Sequence, residues 1–261
     1  MLKNSKTTKK KMRYINLGLV ESEFLLPIWE YSQIIPLGCT TVFAYSPKDT
    51  IINVGGTDRM DKRVIMENLP ADIKFLRYRN QTSAIYILSP DMISFVMHYP
   101  DIDKFKSLNK AIKAIVFKVL KKHNIPLIQE GNDIYFIKNN IKKKFFGIME
   151  KSFIDEWKSM IFTITLKFNS KLANKIYKFD DEKFTKKGDI TDISKIVGGL
   201  CEIKPNINKD RNKIIQKVIQ EVANRFDLEI EKSQLTTNEL FKMNELTEKF
   251  NNEDWYLYGK K

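Results

Sequence analysis

A run of three lysines that ends at Lys144 lies between the dipeptide Asn132-Asp133 and Gly147. A lysine ammonium is a compact positive charge, so it can neutralise a carboxylate and a phosphate and stabilise the negative charge that develops as the two react. Consecutive lysines are also typical of a solvated turn. These residues therefore leave two hypotheses open, a site for an anionic ligand or an exposed basic loop.

A second polar stretch contains Arg77, the tripeptide Gln81-Thr82-Ser83 and Tyr86, and it follows a strand-like run that ends at Gly55. Glycines in a phosphate-binding loop let backbone N–H groups approach phosphate oxygens closely. Gln81, Thr82 and Ser83 can donate hydrogen bonds from their amide and hydroxyl side chains. These side chains also take up space, so a phosphate-binding loop built from them is narrower than one built from glycines. A glycine after a strand is by itself most often part of a turn.

In their order along the chain these segments resemble the lipoate-protein ligase family. Asn132-Asp133-Ile134, followed by Lys144-Phe145-Phe146-Gly147, is similar to the family's Asn-Asp-Ile strand and its Lys-x-x-Gly strand. Residues 51–57 resemble the family's strand that ends in a glycine before a loop over the site. Residues 246–259 are similar to its closing helix and Glu/Asp-Trp-Asn segment, where we expect Trp255 to anchor the chain. The resemblance covers about residues 20–259.

Residues 76–86 resemble the family's Arg-Arg-x-Ser-Gly-Gly-Gly-Ala-Val-Tyr segment, but they depart from it at several positions. Arg77 and Tyr86 agree, whereas Gln81-Thr82-Ser83 stands where the family has three glycines. Ile87-Leu88 replaces the His-Asp pair that follows. These departures favour a nucleotide pocket that differs from the usual one.

The resemblance implies an α+β fold, a biotin/lipoate-protein-ligase-like mixed sheet flanked by helices with a helical C-terminal part. It also implies attachment of lipoate, or a related acyl group, to a lysine of an acidic lipoyl-domain protein through an acyl-adenylate. ATP with Mg²⁺ and lipoate are the implied cofactors, and a separate accessory protein is an implied partner. Lys144 is then the catalytic residue, and substrate or nucleotide contacts are expected from Arg77, Gln81, Thr82, Ser83, Tyr86, Gly55, Asn132, Asp133 and Gly147.

Two other functions remain open. A member of this fold with a degenerate site would act as a binding or inhibitory module for another protein, which the lost glycines favour. The 45 Lys and Arg against 32 Asp and Glu, a net charge of +13, would also attract nucleic acid or an acidic protein. No recognised nucleic-acid-binding motif accompanies the charge.

The chain has two cysteines, Cys39 and Cys201, and two histidines, His98 and His123, none of them in a metal-ligand spacing. We therefore expect no structural metal. A transferase that forms a thioester needs a thiol beside the lysine. The strand predicted at 160–168 carries no cysteine, which disfavours that variant.

No run of apolar residues is long enough for a membrane helix, so a cytoplasmic protein without membrane contact is expected. Five lysines and very few apolar residues predict a flexible basic tail at 1–12. The absence of an internal repeat or a low-complexity linker predicts a single domain at 13–261. Helices are predicted at 21–29, 105–124, 171–179, 214–226 and from Thr236, where Glu239 completes a capping-box spacing. Strands are predicted at 41–45, 50–54, 73–79, 84–88, 92–99, 126–130, 133–137, 144–149 and 160–168.

Overall fold

The structure is a computed structural model that describes residues 10–34, 38–55, 60–77, 85–130, 133–152, 157–179 and 191–250. The helices are α1 (Ser22–Ile34), α2 (Met60–Arg63), α3 (Leu108–Lys121), α4 (Ser170–Ile176), α5 (Arg211–Arg225) and α6 (Thr237–Phe250). The strands are β1 (Lys10–Val20), β2 (Thr40–Pro47), β3 (Ile51–Val54), β4 (Lys74–Arg77), β5 (Ile85–Leu88), β6 (Met92–Pro100), β7 (Leu127–Glu130), β8 (Asp133–Lys138), β9 (Ile141–Lys144), β10 (Phe146–Ser152), β11 (Trp157–Thr165) and β12 (Leu228–Ser233).

A six-stranded mixed sheet in the order β10-β11-β6-β2-β1-β12 forms the centre of the fold. Strands β10, β11, β6 and β2 are antiparallel, whereas β1 is parallel to both β2 and β12. Side chains of a strand alternate between the two faces of a sheet. Val42 accordingly packs with α3 and α5 on one face, and Phe43 packs with α1 on the other. Because both faces are covered, β2 is buried along its whole length.

Two three-stranded sheets flank the central one. The first has the order β4-β3-β5, and the second has the order β7-β8-β9. In the first, Ile51 faces the core shared with α1, while Ile52 and Val54 pack against residues of α4. In the second, a two-residue turn joins β8 to β9, and Asn139 and Asn140 adopt φ values of 49° and 61°. Asparagine tolerates this left-handed conformation, so both residues suit the turn.

The predicted helices and most predicted strands are confirmed within a few residues, with three differences. The range 144–149, which was predicted as one strand, is divided between two strands. Strand β9 ends at Lys144, and strand β10 begins at Phe146. Phe145 between them is only 1% exposed, and its burial turns the chain into the core. The predicted tail overlaps β1, a strand that was not predicted and whose Met12 is fully buried. Finally, β12 interrupts the C-terminal helical part and pairs with β1.

The predicted capping box begins α6, and it is joined to the central sheet. The Thr236 backbone N–H donates to Glu239 Oε2 at 2.6 Å, and the Glu239 N–H donates to Thr236 Oγ1 at 3.2 Å. Arg13 of β1 also binds both carboxylate oxygens of Glu239, and Tyr31 of α1 donates to one of them. One buried carboxylate therefore connects β1, α1 and α6.

Among the described residues, no helix is long and apolar enough to cross a membrane.

Candidate active site

Lys144 is the last residue of β9, and its backbone is bonded on both sides by the segment 196–198. The Lys144 N–H donates to the Ile196 carbonyl at 2.8 Å, and the Gly198 N–H donates to the Lys144 carbonyl at 3.0 Å. The Lys144 side chain remains 42% exposed, and its Nζ lies 2.6 Å from Asp133 Oδ1. The structure therefore fixes the main chain of this lysine and leaves its ammonium accessible.

Asp133 begins β8 and holds the ammonium of Lys144 from the neighbouring strand. Its other carboxylate oxygen accepts a hydrogen bond of 3.3 Å from the hydroxyl of Tyr135. Tyr135 stands directly opposite Lys144 in the β8–β9 pairing, so all three side chains lie on one face of this sheet. Burial raises the pKa of Tyr135, and the charge of Asp133 raises it further, so the tyrosine remains a donor at neutral pH.

A second lysine, Lys113 of α3, belongs to the same charged group. It is only 4% exposed, and α3 packs against β7 and β8. Burial lowers the pKa of Lys113, Asp133 acts in the opposite direction, and Lys144 lowers it further. Sequence reasoning missed this residue, because one buried lysine on an amphipathic helix looks the same in the sequence as the solvated lysines beside it.

The other two lysines of the basic run have different partners from Lys144. Lys142 forms an ion pair with Glu130, and both side chains are about half exposed. Lys143 is 2.7 Å from Glu202 and has a side chain only 13% exposed. The run is therefore not a uniformly solvated turn, since each lysine has its own acidic partner.

Arg77 and Gly55, two predicted site residues, are brought into contact by the β3–β4 pair. Arg77 ends β4 and is completely buried, and its Nη1 donates to the Gly55 carbonyl at 2.9 Å. Gly55 follows β3 directly. A buried guanidinium is stable only where carbonyl or carboxylate oxygens accept from it. Arg77 thereby holds the chain where it leaves β3.

Tyr86 and Gly147 lie in two different sheets, those of β5 and β10. Tyr86 of β5 is paired across the sheet with Asn53 of β3, and burial raises its pKa strongly. Gly147 of β10 pairs with Thr163, and a Cβ added to it would meet no atom within 4 Å. The predicted contacts Gln81, Thr82, Ser83 and Asn132, and the predicted anchor Trp255, lie outside the described residues.

The segment 193–199 connects the two small sheets. Val197 forms a bridge with Lys144 in one sheet, and it packs against the apolar cluster that contains Ile52 and Val54 of the other. Gly199 lies so close to the chain after β11 that an added Cβ would stand 2.5 Å from the Cα of Lys167. Close backbone packing of this kind requires glycine. The segment 193–199 therefore supports both Lys144 and the small sheet that carries Arg77. No described bond joins Lys144 to Arg77 directly.

The cysteines and histidines do not form a metal or thiol centre in the described part of the chain. No group of three or more His, Cys, Asp and Glu side chains converges there. His98 is fully buried, its Nε2 donates to the Ile28 carbonyl at 3.0 Å, and burial lowers its pKa to about 3, so it is a neutral core residue. Burial raises the pKa of Cys201, which disfavours the thiolate that a thioester mechanism needs.

No sequence-family profile and no curated protein match this chain. Solved structures do. A bi-partite lipoate protein ligase from Thermoplasma acidophilum is 15% identical, with a TM-score of 0.77 over 97% of this chain and 98% of that one. Lipoate-protein ligase A bound with ATP is 13% identical, with a TM-score of 0.72 over 95% and 98%. LipL1 of P. falciparum in complex with lipoate is 16% identical, with a TM-score of 0.70 over 96% and 74%.

These similarities cover nearly the whole chain, whereas the identities are too low to define a reaction. They agree with the mixed sheet and flanking helices described above. This chain has the α+β fold of the lipoate-protein ligases.

Proposed function

We propose that this protein is an acyl ligase of the lipoate type, which activates lipoate or a related acid with ATP and attaches the acyl group to a lysine of a lipoyl domain. The observation that carries the proposal is the position of Lys144. It begins the segment Lys144-Phe145-Phe146-Gly147, which resembles the family's Lys-x-x-Gly segment, its backbone is fixed, and its ammonium is accessible beside Asp133.

The charges around Lys144 suit an anionic substrate. The ammonium groups of Lys144 and Lys113 both interact electrostatically with the carboxylate of Asp133. A carboxylate or a phosphate oxygen of a substrate would be a further anionic partner for the accessible ammonium of Lys144. In this mechanism Lys144 binds the carboxylate of the acid and the phosphate, and it stabilises the negative charge that develops between them.

Asp133 and Tyr135 orient the ammonium of Lys144. Asp133 directs the Lys144 ammonium toward the exposed face of the β8–β9 pair, and Tyr135 keeps the carboxylate in place. An ammonium held in advance loses less conformational freedom when the substrate binds. On the other small sheet, Arg77 assists by holding the Gly55 carbonyl and thus the chain beyond β3.

An acidic lipoyl domain is the acceptor that fits the charge of this protein. A net charge of +13 attracts acidic partners over a distance. The Thermoplasma ligase is described as bi-partite, together with its E2 lipoyl domain. By analogy, we infer that this chain works with a lipoyl domain and with a separate accessory protein.

The activation half of the reaction can be tested without an acceptor. A ligase of this type should exchange labelled pyrophosphate into ATP only when lipoate or a related acid and Mg²⁺ are present. Exchange should be lost in Lys144→Ala and kept in Lys142→Ala. Absence of exchange with every acid, with and without accessory protein, would contradict the proposal.

A protein-binding module with a degenerate site is the second candidate. Two observations favour it, namely the ion pair that already neutralises Lys144 and the replacement of three glycines by Gln81-Thr82-Ser83. This candidate predicts that titration calorimetry with a non-hydrolysable lipoyl-adenylate analogue gives no heat of binding. Measurable binding would reject it. A gel shift at low salt would separately reveal nucleic-acid binding, which charge alone supports.

A further inference from the structure

Asn53 is a polar side chain in the middle of an apolar strand. It lies in β3 within the run Ile51-Ile52-Asn53-Val54, and it is completely buried. Neither the nitrogen nor the oxygen of its amide has a hydrogen-bond partner in the described part of the structure. Buried side-chain amides in folded proteins almost always have partners, so an amide without one calls for a physical explanation.

The register of β3 shows which way Asn53 points. Side chains two residues apart share a face of the sheet, as do directly paired residues on neighbouring strands. Asn53 therefore shares its face with Ile51, with Leu76 of β4 and with Tyr86 of β5. Ile51 and Leu76 belong to the core between this sheet and the central sheet, and Tyr86 packs against that core.

This face carries one of the predicted substrate contacts. Tyr86 lies on it, directly opposite Asn53, and Gly55 follows Asn53 by two residues, whereas Arg77 is paired with Val54 and belongs to the opposite face. Tyr45 of the central sheet lies near enough to Tyr86 to affect its ionisation. The amide thus lies between two sheets, beside the residues expected to enclose the acyl group.

We propose that Asn53 recognises a hydrogen-bonding group on the acyl chain, so that the preferred acid carries a hydroxyl or carbonyl group along its chain. This inference rests on the proposed ligase function and specifies its substrate class. An amide offers two donors and one acceptor, so it can bind either group. The carboxylate end of the acid is assigned to Lys144, on the other small sheet, which leaves the chain for Asn53.

A plain alkyl chain would leave the amide unpaired in the complex, as it is in the free protein. A site that hydrogen-bonds a polar group of its substrate discriminates strongly against an analogue that lacks this group. An apolar pocket discriminates much less between substrates that differ by one methylene or hydroxyl group. We therefore expect a preference of roughly tenfold or more in kcat/KM for a hydroxylated or oxo medium-chain acid over the matching alkyl acid.

The test compares octanoate, 8-hydroxyoctanoate and 8-oxo-octanoate in the ATP-dependent reaction, using the full chain and its accessory protein. In Asn53→Leu, which is close in shape, and in the smaller Asn53→Val, the preference should disappear. Ile51→Val, a change on the same face of β3, should keep it. An equal rate with all three acids in the unchanged protein would overturn the inference, as would a preference that survives in both Asn53 variants.

Binding of the free acids gives a readout that does not need turnover. If no acid is transferred, the proposed function fails. The inference that Asn53 binds a polar group of the acid still stands if 8-hydroxyoctanoate raises the melting temperature of the unchanged protein but not that of Asn53→Leu. If neither polar acid shifts the melting temperature, the inference fails. Transfer of octanoate at the same rate as the two polar acids would support the ligase function and show that Asn53 does not select the substrate.

Discussion

The Nζ of Lys144 lies 2.6 Å from Oδ1 of Asp133, and both side chains are about two-fifths exposed. An exposed ion pair contributes little to folding, because water screens it and its side chains lose conformational freedom. The main effect of the pair is therefore to orient the Lys144 ammonium, and its contribution to the stability of the fold is small. It makes Lys144 an oriented cation on an accessible face of the sheet.

Replacement of Lys144 by alanine should reduce ligation by about 100-fold or more, because one preorganised charge at a reacting centre typically supplies that much. Stability should change little. Lys142→Ala is the matched control, since Lys142 lies on the same face of β9 and also forms an ion pair, with Glu130. Rates of acyl transfer and thermal melting of both variants make the comparison, and equal losses in the two variants would argue against a specific role for Lys144.

Lys113→Met should weaken binding of the nucleotide or the acid by about tenfold in KM, with a smaller effect on kcat, because the change removes a positive charge from the Asp133 group. Lys118→Met on the same helix is the control, since Lys118 pairs with Glu221 near the surface. Steady-state kinetics with circular dichroism would test this. A KM that stays constant would exclude Lys113 from substrate binding.

Gly199→Ala should destabilise the protein by about 1–3 kcal/mol, because the new Cβ would overlap backbone atoms of residues 166–168. The shift should also disturb Lys144, whose carbonyl accepts from the neighbouring Gly198 N–H. Gly147→Ala adds its Cβ to open space and should fold normally. Chemical denaturation would compare the two variants. Loss of activity in a stable Gly147→Ala protein would support the predicted contact of Gly147 with substrate.

Glu239→Gln should destabilise the protein by about 3 kcal/mol, since it leaves the Arg13 guanidinium, whose side chain is only 18% exposed, without its anionic partner. Glu231→Gln removes an exposed ion pair with Lys11 and should change stability by less than about 0.5 kcal/mol. Urea denaturation at neutral pH measures both. Similar values for the two variants would show that the buried carboxylate does not hold α6 to the sheet.

Acid should unfold the protein through the same carboxylate. Burial alone raises the pKa of Glu239, but hydrogen bonds from Arg13, Thr236 and Tyr31 outweigh burial and lower the pKa to about 2, from an ordinary 4.5. A lowered pKa stabilises the folded state above the ordinary value, and this stabilisation is lost as the pH falls from about 4.5 to about 2. Glu239→Gln should flatten that part of the stability curve, and an unchanged slope would refute the assignment.

Sequence patterns predicted most of the fold because the helices and buried strands carry regular apolar spacing. They failed at β12, where only Leu228 is buried and Ile230 is the only other apolar residue. They also failed at Phe145, where the break between β9 and β10 comes from tertiary packing rather than from a turn residue.

The candidate site was predictable where a motif names the residue, as at Lys144, Asp133 and Arg77. The partners of these residues were not predictable. The contact between Arg77 and Gly55 depends on parallel pairing of β3 with β4, and the place of Lys113 depends on how α3 packs over β8. The unpartnered amide of Asn53 is likewise visible only once both neighbouring strands are in register.

The most direct test of the ligase proposal is the mass of an apo-lipoyl domain after incubation with this protein, ATP, Mg²⁺ and lipoate or a related acid, with and without an accessory protein. The proposal predicts that the domain gains the mass of one acyl group, that a domain whose acceptor lysine is replaced by arginine gains none, and that Lys144→Ala abolishes the gain while Lys142→Ala retains it. An unchanged mass of the domain under all of these conditions would contradict the proposal.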